Sequence, residues 1–224
     1  MPAGKANLVA KAGRPLWAEW PVVRDTKAWP VGGTFYHCHQ QRFDGAEFNP
    51  TEYPQYRFSP IYDADGRVIP TWYAASAPEG AVAESLLHDI PANDPRAHLT
   101  AGQFAGRQVS AVGPTRVLRL VRLDHDGLRS LKMLARKVIE TEADSYPQTS
   151  TIGQQLHDTT DADGLVWISR RRNIDHAVVL FGDRVTGDDL TGAEVVYDFD
   201  TLDGWQWLHG YVRPLGITVD PPLT

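Results

Sequence analysis

The chain has 224 residues, enough for one domain with a buried core. Hydrophobic residues make up 42% and charged residues 22%, a balance that excludes a disordered or low-complexity chain. A net charge of -6 argues against a bulk nucleic-acid binder, and a single cysteine, Cys38, excludes an internal disulfide framework. No apolar run approaches the length of a membrane span, and the N-terminus lacks the apolar core of a secretory signal. The expectation is a cytoplasmic protein that touches neither membrane nor nucleic acid directly.

In chain order, residues 1–33 are rich in Pro, Gly and Trp and show no period, which predicts an irregular arm lying on a domain that runs from 34 to 224. Trp17, Trp20 and Trp29 call for burial there. The aromatic run 33–39 reads as a strand, and 41–56 as a polar loop punctuated by Pro50, Pro54 and Asp44-Gly45. Strands are expected at 67–69 and 71–74. A helix follows over 79–89, with Pro78 favouring its entry. Residues 90–107 read as a connection, and 116–123 alternate as a strand. Leu128, Leu131, Leu134 and Val138 recur at helical spacing and predict one amphipathic helix over 127–141. A second helix is expected at 147–159. Strands follow at 165–169, 177–181 and 195–198, then a hydrophobic piece over 205–212. Strands and helices interleave without regular alternation, which favours α+β over a doubly wound parallel sheet. No Gly-x-Gly-x-x-Gly or Gly-Lys-Ser/Thr phosphate loop is present.

Several residues invite a chemical reading beside an ordinary one. Glu84 lies on the helix arc opposite Val82, Ala83, Leu86 and Leu87, together with Ala81, Ser85 and His88. That arc is either a solvated face or a cleft wall. Its small residues, and His88 one turn below within reach of the carboxylate, favour the wall. Arg57 is either a structural ion-pair partner or an anion clamp, whose forked donors match two phosphate oxygens. Arg42 competes with it for the second role. Tyr73 ends a strand, as a core ring or as a stacking surface. Ser169 precedes the basic turn 170–172, and no spacing commits a His and an acid to make it a nucleophile. The three arginines of that turn read as a solvated turn before a phosphate site. His37 and His39 share a strand face, but a metal needs a third or fourth ligand, and no His-Glu-x-x-His or Cys-x-x-Cys appears. The seven tryptophans are core rings, or one or two of them line a pocket.

Taken together, Arg57-Phe58, Tyr73-Ala74-Ala75, Ala81-Val82-Ala83-Glu84, the stretch from Tyr146 through Asp163-Gly164 to Ser169-Arg170, and the strand ending Leu180-Phe181 resemble the RES domain family. The likeness covers about residues 34–200. The link between Arg57 and Tyr73 is longer than the family's usual one. Related sequences carry a further arginine near the first strand, and a histidine there would remove a fixed charge. The resemblance implies an ADP-ribosyltransferase-like mixed split β-sheet with flanking helices. It implies an NAD-consuming enzyme, with NAD as substrate and no prosthetic group, that breaks the nicotinamide–ribose bond as a glycohydrolase or phosphorylase. Protein ADP-ribosyl transfer and a non-catalytic binding module are the alternatives. The implied site set is Glu84, Arg57, Tyr73 and Ser169 for catalysis, with Arg57, Tyr73 and Ser169 holding NAD and Arg42 the competitor for the part of Arg57. The implied partner is an Xre-type helix-turn-helix antitoxin that neutralises the protein as a bacterial toxin.

Overall fold

The computed structural model describes residues 26–53, 56–91 and 93–222. The expectations for residues 1–25, including Trp17 and Trp20, and for Pro54 lie outside the described residues. The described part of the expected arm contains a strand, β1 (Thr26–Trp29). Next come β2 (Phe35–Gln40), β3 (Ile61–Tyr62), β4 (Val68–Ile69) and β5 (Thr71–Ala75), followed by helix α1 (Pro78–Ser85). The stretch expected to be a plain connection holds β6 (His98–Leu99) and a short helix, α2 (Ala101–Phe104). Then come β7 (Arg107–Pro114), β8 (Leu118–Arg122), α3 (His125–Ser130), α4 (Ala135–Val138) and α5 (Tyr146–Thr159). The chain closes with β9 (Gly164–Ile168), β10 (His176–Phe181), β11 (Leu190–Asp198), α6 (Leu202–Val212) and β12 (Thr218–Val219).

Among the described residues eight strands form one mixed sheet in the order β1-β8-β9-β10-β5-β2-β7-β11. Within it β8 and β9 run parallel, and the other neighbours are antiparallel. The joints are unequal. β10 pairs with β5 at every position from Thr71 to Ala75, and β2 pairs with β7 from Phe35 to Gln40. Between them β5 meets β2 at one position only, Tyr36 opposite Ala75. The sheet thus opens into two halves along the β5–β2 line. Helix α1, entered through Pro78 in its first turn, packs against β2, β5, β7 and β10 at this opening. The fold is α+β.

Three apolar clusters hold it. One face of the larger half-sheet, with Leu165, Trp167, Val179 and Phe181, is covered by Leu128, Val138 and Leu156 from α3, α4 and α5. The other face buries Trp72, Leu118, Leu120, Val178 and Leu180 with Trp29 and Phe35. The smaller half-sheet places Cys38 and Val109 against Val82 of α1, Leu86 just past its end, and Leu208 and Val212 of α6. Gly164 is needed where β9 passes β10, since a Cβ there would stand 2.0 Å from the Val179 carbonyl oxygen. Asp163 beside it accepts from the Arg119 backbone N–H at 2.7 Å and from Arg116 Nη2 at 2.8 Å. The Asp-Gly pair is therefore a structural joint between strands.

Three further elements differ from what the sequence predicts. The single helix over 127–141 is two helices. Lys132 adopts φ 56°, the Met133 N–H reaches the Leu128 carbonyl and the Lys132 N–H reaches the Arg129 carbonyl. This is a Schellman closure, made here with a non-glycine residue in the left-handed position. The helix expected over 79–89 ends at Ser85, where the Leu87 N–H turns back to Val82 and His88 Nδ1 donates to the Ser85 carbonyl at 2.6 Å. The third is β7, which has no counterpart among the expected elements. Its Val109 and Val112 enter different apolar clusters on opposite faces, so the strand is buried on both sides and shows no period of two.

Candidate active site at the opening of the sheet

A cavity of about 490 Å³ lies where the half-sheets part, a size usual for small-molecule sites. One side carries Arg57, Tyr73, Tyr146 and Trp167; the other carries His37, Cys38 and Arg107; α1 supplies Glu84 and Ser85 between them.

Glu84 is half-buried on α1. Its Oε1 accepts a hydrogen bond from Ser169 Oγ at 2.5 Å. Ser169 is fully buried, and its Oγ also accepts the Arg172 backbone N–H at 3.1 Å. That second bond directs the hydroxyl proton toward the carboxylate. Ser169 does not line the cavity. It holds Glu84 from behind, an arrangement unsuited to nucleophilic attack or direct contact with a ligand. His88 is not the partner of Glu84: its Nε2 pairs with Asp89 at 3.0 Å. The helix ends before the side chains can stack one turn apart. Ala81, placed by the spacing on the Glu84 arc, is 5% exposed and belongs to the core.

Arg57 is 8% exposed. Its Nη1 donates to the Val138 carbonyl at 3.3 Å and to Thr141 Oγ1, and its Nη2 donates to the Thr141 carbonyl at 3.3 Å. Its guanidinium carbon lies 5.6 Å from the Tyr146 ring centre. Burial pulls this group below its ordinary value, while Tyr146 and the Glu84 carboxylate act in the opposite direction. Tyr73 ties the same segment down. Its hydroxyl donates to Ser59 Oγ at 3.2 Å and accepts the Phe58 N–H at 3.3 Å. Burial pushes its phenol well above the usual range, so it is a neutral donor. Arg42 stands apart: it is exposed, lies over Phe43 at 4.7 Å and does not line the cavity.

The arginine triplet is engaged rather than solvated. Arg170 donates to the Thr141 carbonyl at 2.9 Å and to Glu142, and Arg171 donates to the His88 and Ile90 carbonyls. Arg172 pairs with Asp175 at 2.5 Å and lies over Tyr211. None of the three lines the cavity.

His37 Nδ1 donates to the Gly45 carbonyl at 2.9 Å, which fixes its tautomer. Burial pushes its pKa down to about 4, so it brings no charge at neutral pH. His39, its ring centre 4.9 Å from that of His37, places Nε2 2.8 Å from Ser110 Oγ and does not line the cavity. No group of three His, Cys, Asp or Glu residues able to hold a metal occurs among the described residues.

Three lining residues escape a reading of the sequence. Tyr146 sits at a helix start as part of a motif and shows no separate signal. Trp167, 2% exposed, has an indole Nε1 with no hydrogen-bond partner. Arg107 enters only because β7 lies beside β2, with Arg107 opposite Gln40. No local pattern announces that register.

An α+β domain with a carboxylate, an arginine and a tyrosine gathered at the opening of its sheet has the construction of a small-molecule enzyme. The chain matches the RES domain family over residues 28–200 and belongs to that family, which is associated with NAD-utilising enzymes. Among curated proteins no relative matches the chain. No helix among the described residues is long and apolar enough to cross a membrane.

Proposed function

We propose that this cleft breaks the bond between nicotinamide and ribose in NAD, with water or phosphate as acceptor. The observation that carries the reading is the Glu84 carboxylate, held from behind by Ser169 at 2.5 Å and presented to a cavity shared with Arg57 and Tyr73. In the reaction the C1′–N bond breaks and its electron pair leaves with nicotinamide, which becomes neutral. Positive charge builds on the ribose, as in glycoside cleavage through an oxocarbenium-like transition state. A fixed carboxylate beside that charge lowers the barrier, and it can also accept a hydrogen bond from a ribose hydroxyl. Water then adds its oxygen to C1′ and releases a proton, giving ADP-ribose; phosphate gives the corresponding phosphate ester. Tyr73 offers its ring to the nicotinamide.

Incubating pure protein with NAD and following free nicotinamide, free ADP-ribose and protein-bound ADP-ribose tests the reading. Nicotinamide with matching free product supports it. Nicotinamide with bound label transfers the chemistry to a protein acceptor. Release of neither leaves a binding module. On the family resemblance, the protein is further proposed to be a cytoplasmic bacterial toxin restrained by an Xre-type helix-turn-helix antitoxin. Co-expression with the product of the neighbouring gene, followed by co-purification, tests that partner.

A further inference from the structure

The cavity needs a cation with free donors if it is to hold a dinucleotide, and its two arginines differ in what they can offer. The Nη1 and Nη2 groups of Arg57 are committed to Val138 and Thr141. Arg107 is half-buried, lines the same cavity, and makes no side-chain hydrogen bond or ion pair with any described residue. Its placement follows from strand geometry. It opens β7 two residues before Val109, and Val109 stands opposite Cys38, so alternation puts Arg107 on the face of the smaller half-sheet that carries Cys38. Tyr73 belongs to the other half-sheet, so the cavity has a committed guanidinium on one wall and a free one on the other. Two nearby carboxylates are already engaged, Glu84 by Ser169 and Asp89 by His88, while Glu47 lies at the exposed rim. β2 adds no charge of its own, because His37 is held neutral. A half-buried guanidinium with no protein partner keeps its donors free for a ligand, and its planar fork suits a pair of phosphate oxygens.

We propose that Arg107 binds the pyrophosphate of NAD, and that Arg57 serves the ribose end beside Glu84 as a positioning residue. This rests on the NAD reading above and assigns the part of the substrate each arginine meets.

The test compares wild-type protein with Arg107→Gln and Arg107→Lys by titration with ADP-ribose and with nicotinamide riboside, which lacks phosphate, and by nicotinamide release from NAD. Loss of a charge-assisted bidentate contact is expected to weaken ADP-ribose binding about ten-fold or more. KM for NAD should rise far more than kcat falls, and nicotinamide riboside should bind as before. Arg107→Lys should recover part of the loss. Unchanged ADP-ribose binding in Arg107→Gln overturns the proposal. So does an equal loss for both ligands, which marks a structural role. Wild-type protein that binds neither ligand and releases no nicotinamide removes the NAD reading itself, an outcome distinct from a failure of Arg107 alone.

Discussion

Glu84 and Ser169 stand 85 positions apart in the chain, yet one hydroxyl proton joins them. Ser169→Ala removes that donor without opening a large hole, so the fold should hold while the carboxylate loses its anchor. NAD turnover is expected to fall about ten-fold, a smaller loss than removing the charge itself; full activity with an unchanged melting curve would deny Ser169 a positioning role. Arg57 acts on stability as well as on the site. Arg57→Ala would remove the donor to the buried Val138 carbonyl and to the Thr141 hydroxyl, while Arg170 still serves the Thr141 carbonyl, and this costs about 1–3 kcal/mol. Urea unfolding checks this, and a midpoint equal to wild type would contradict it. His37 gives a prediction with a sign. Its folded value is pushed down to about 4, below the ordinary histidine value of about 6.5 in the unfolded chain. Between those values the unfolded state binds more protons, so this stabilising contribution is fully present above about pH 6.5 and is lost as pH falls toward about 4. His37→Gln keeps a donor for Gly45 and removes the titration. Its urea midpoint should fall less steeply between pH 6.5 and pH 4.5 than that of the wild type, and parallel slopes would refute the assignment.

Elements show where a local pattern suffices and where it does not. β2, β5, β9, β10 and α5 fall within a residue or two of their expected positions, because each pairs a clear apolar run with a turn or a proline at its border. The helix over 127–141 fails for a readable reason: its leucines keep helical spacing through a break made by one residue, Lys132, in a conformation that side chains disfavour. Lys132→Gly should therefore stabilise the protein by about 1 kcal/mol, seen as a higher urea midpoint. A lower midpoint would mean that the lysine side chain contributes more than its backbone costs. β7 was hidden for the opposite reason, since burial on both faces erases alternation. Arg107 went unread with it, because its place in the cavity depends on the register of β7 against β2 rather than on any neighbour in sequence. Arg57, Tyr73 and Glu84 were legible because each ends or faces an element that a short motif marks. The place of Ser169 behind Glu84 was not legible, because it is set by packing of the turn after β9 against α1.

At the scale of the whole molecule, a single weak joint organises the site. One pairing between Tyr36 and Ala75 lets the sheet part, α1 fills the gap, and the carboxylate of α1 shares one cavity with two guanidiniums brought by distant segments. The sheet order that produces this arrangement could not be read from the chain, because strands far apart in sequence lie side by side at β5–β2 and β7–β11. In the proposed reaction the charge on Glu84 drives cleavage of NAD. Nicotinamide release should be measured for wild type and Glu84→Gln at equal concentration, with circular dichroism confirming that both are folded. Gln preserves the shape and a hydrogen-bonding oxygen for Ser169 but carries no negative charge for a cationic transition state. The wild type should release nicotinamide, and Glu84→Gln should lose well over ten-fold in rate. Glu84→Gln retaining more than about a tenth of the wild-type rate, or a folded wild type that releases no nicotinamide, would contradict the proposed reaction.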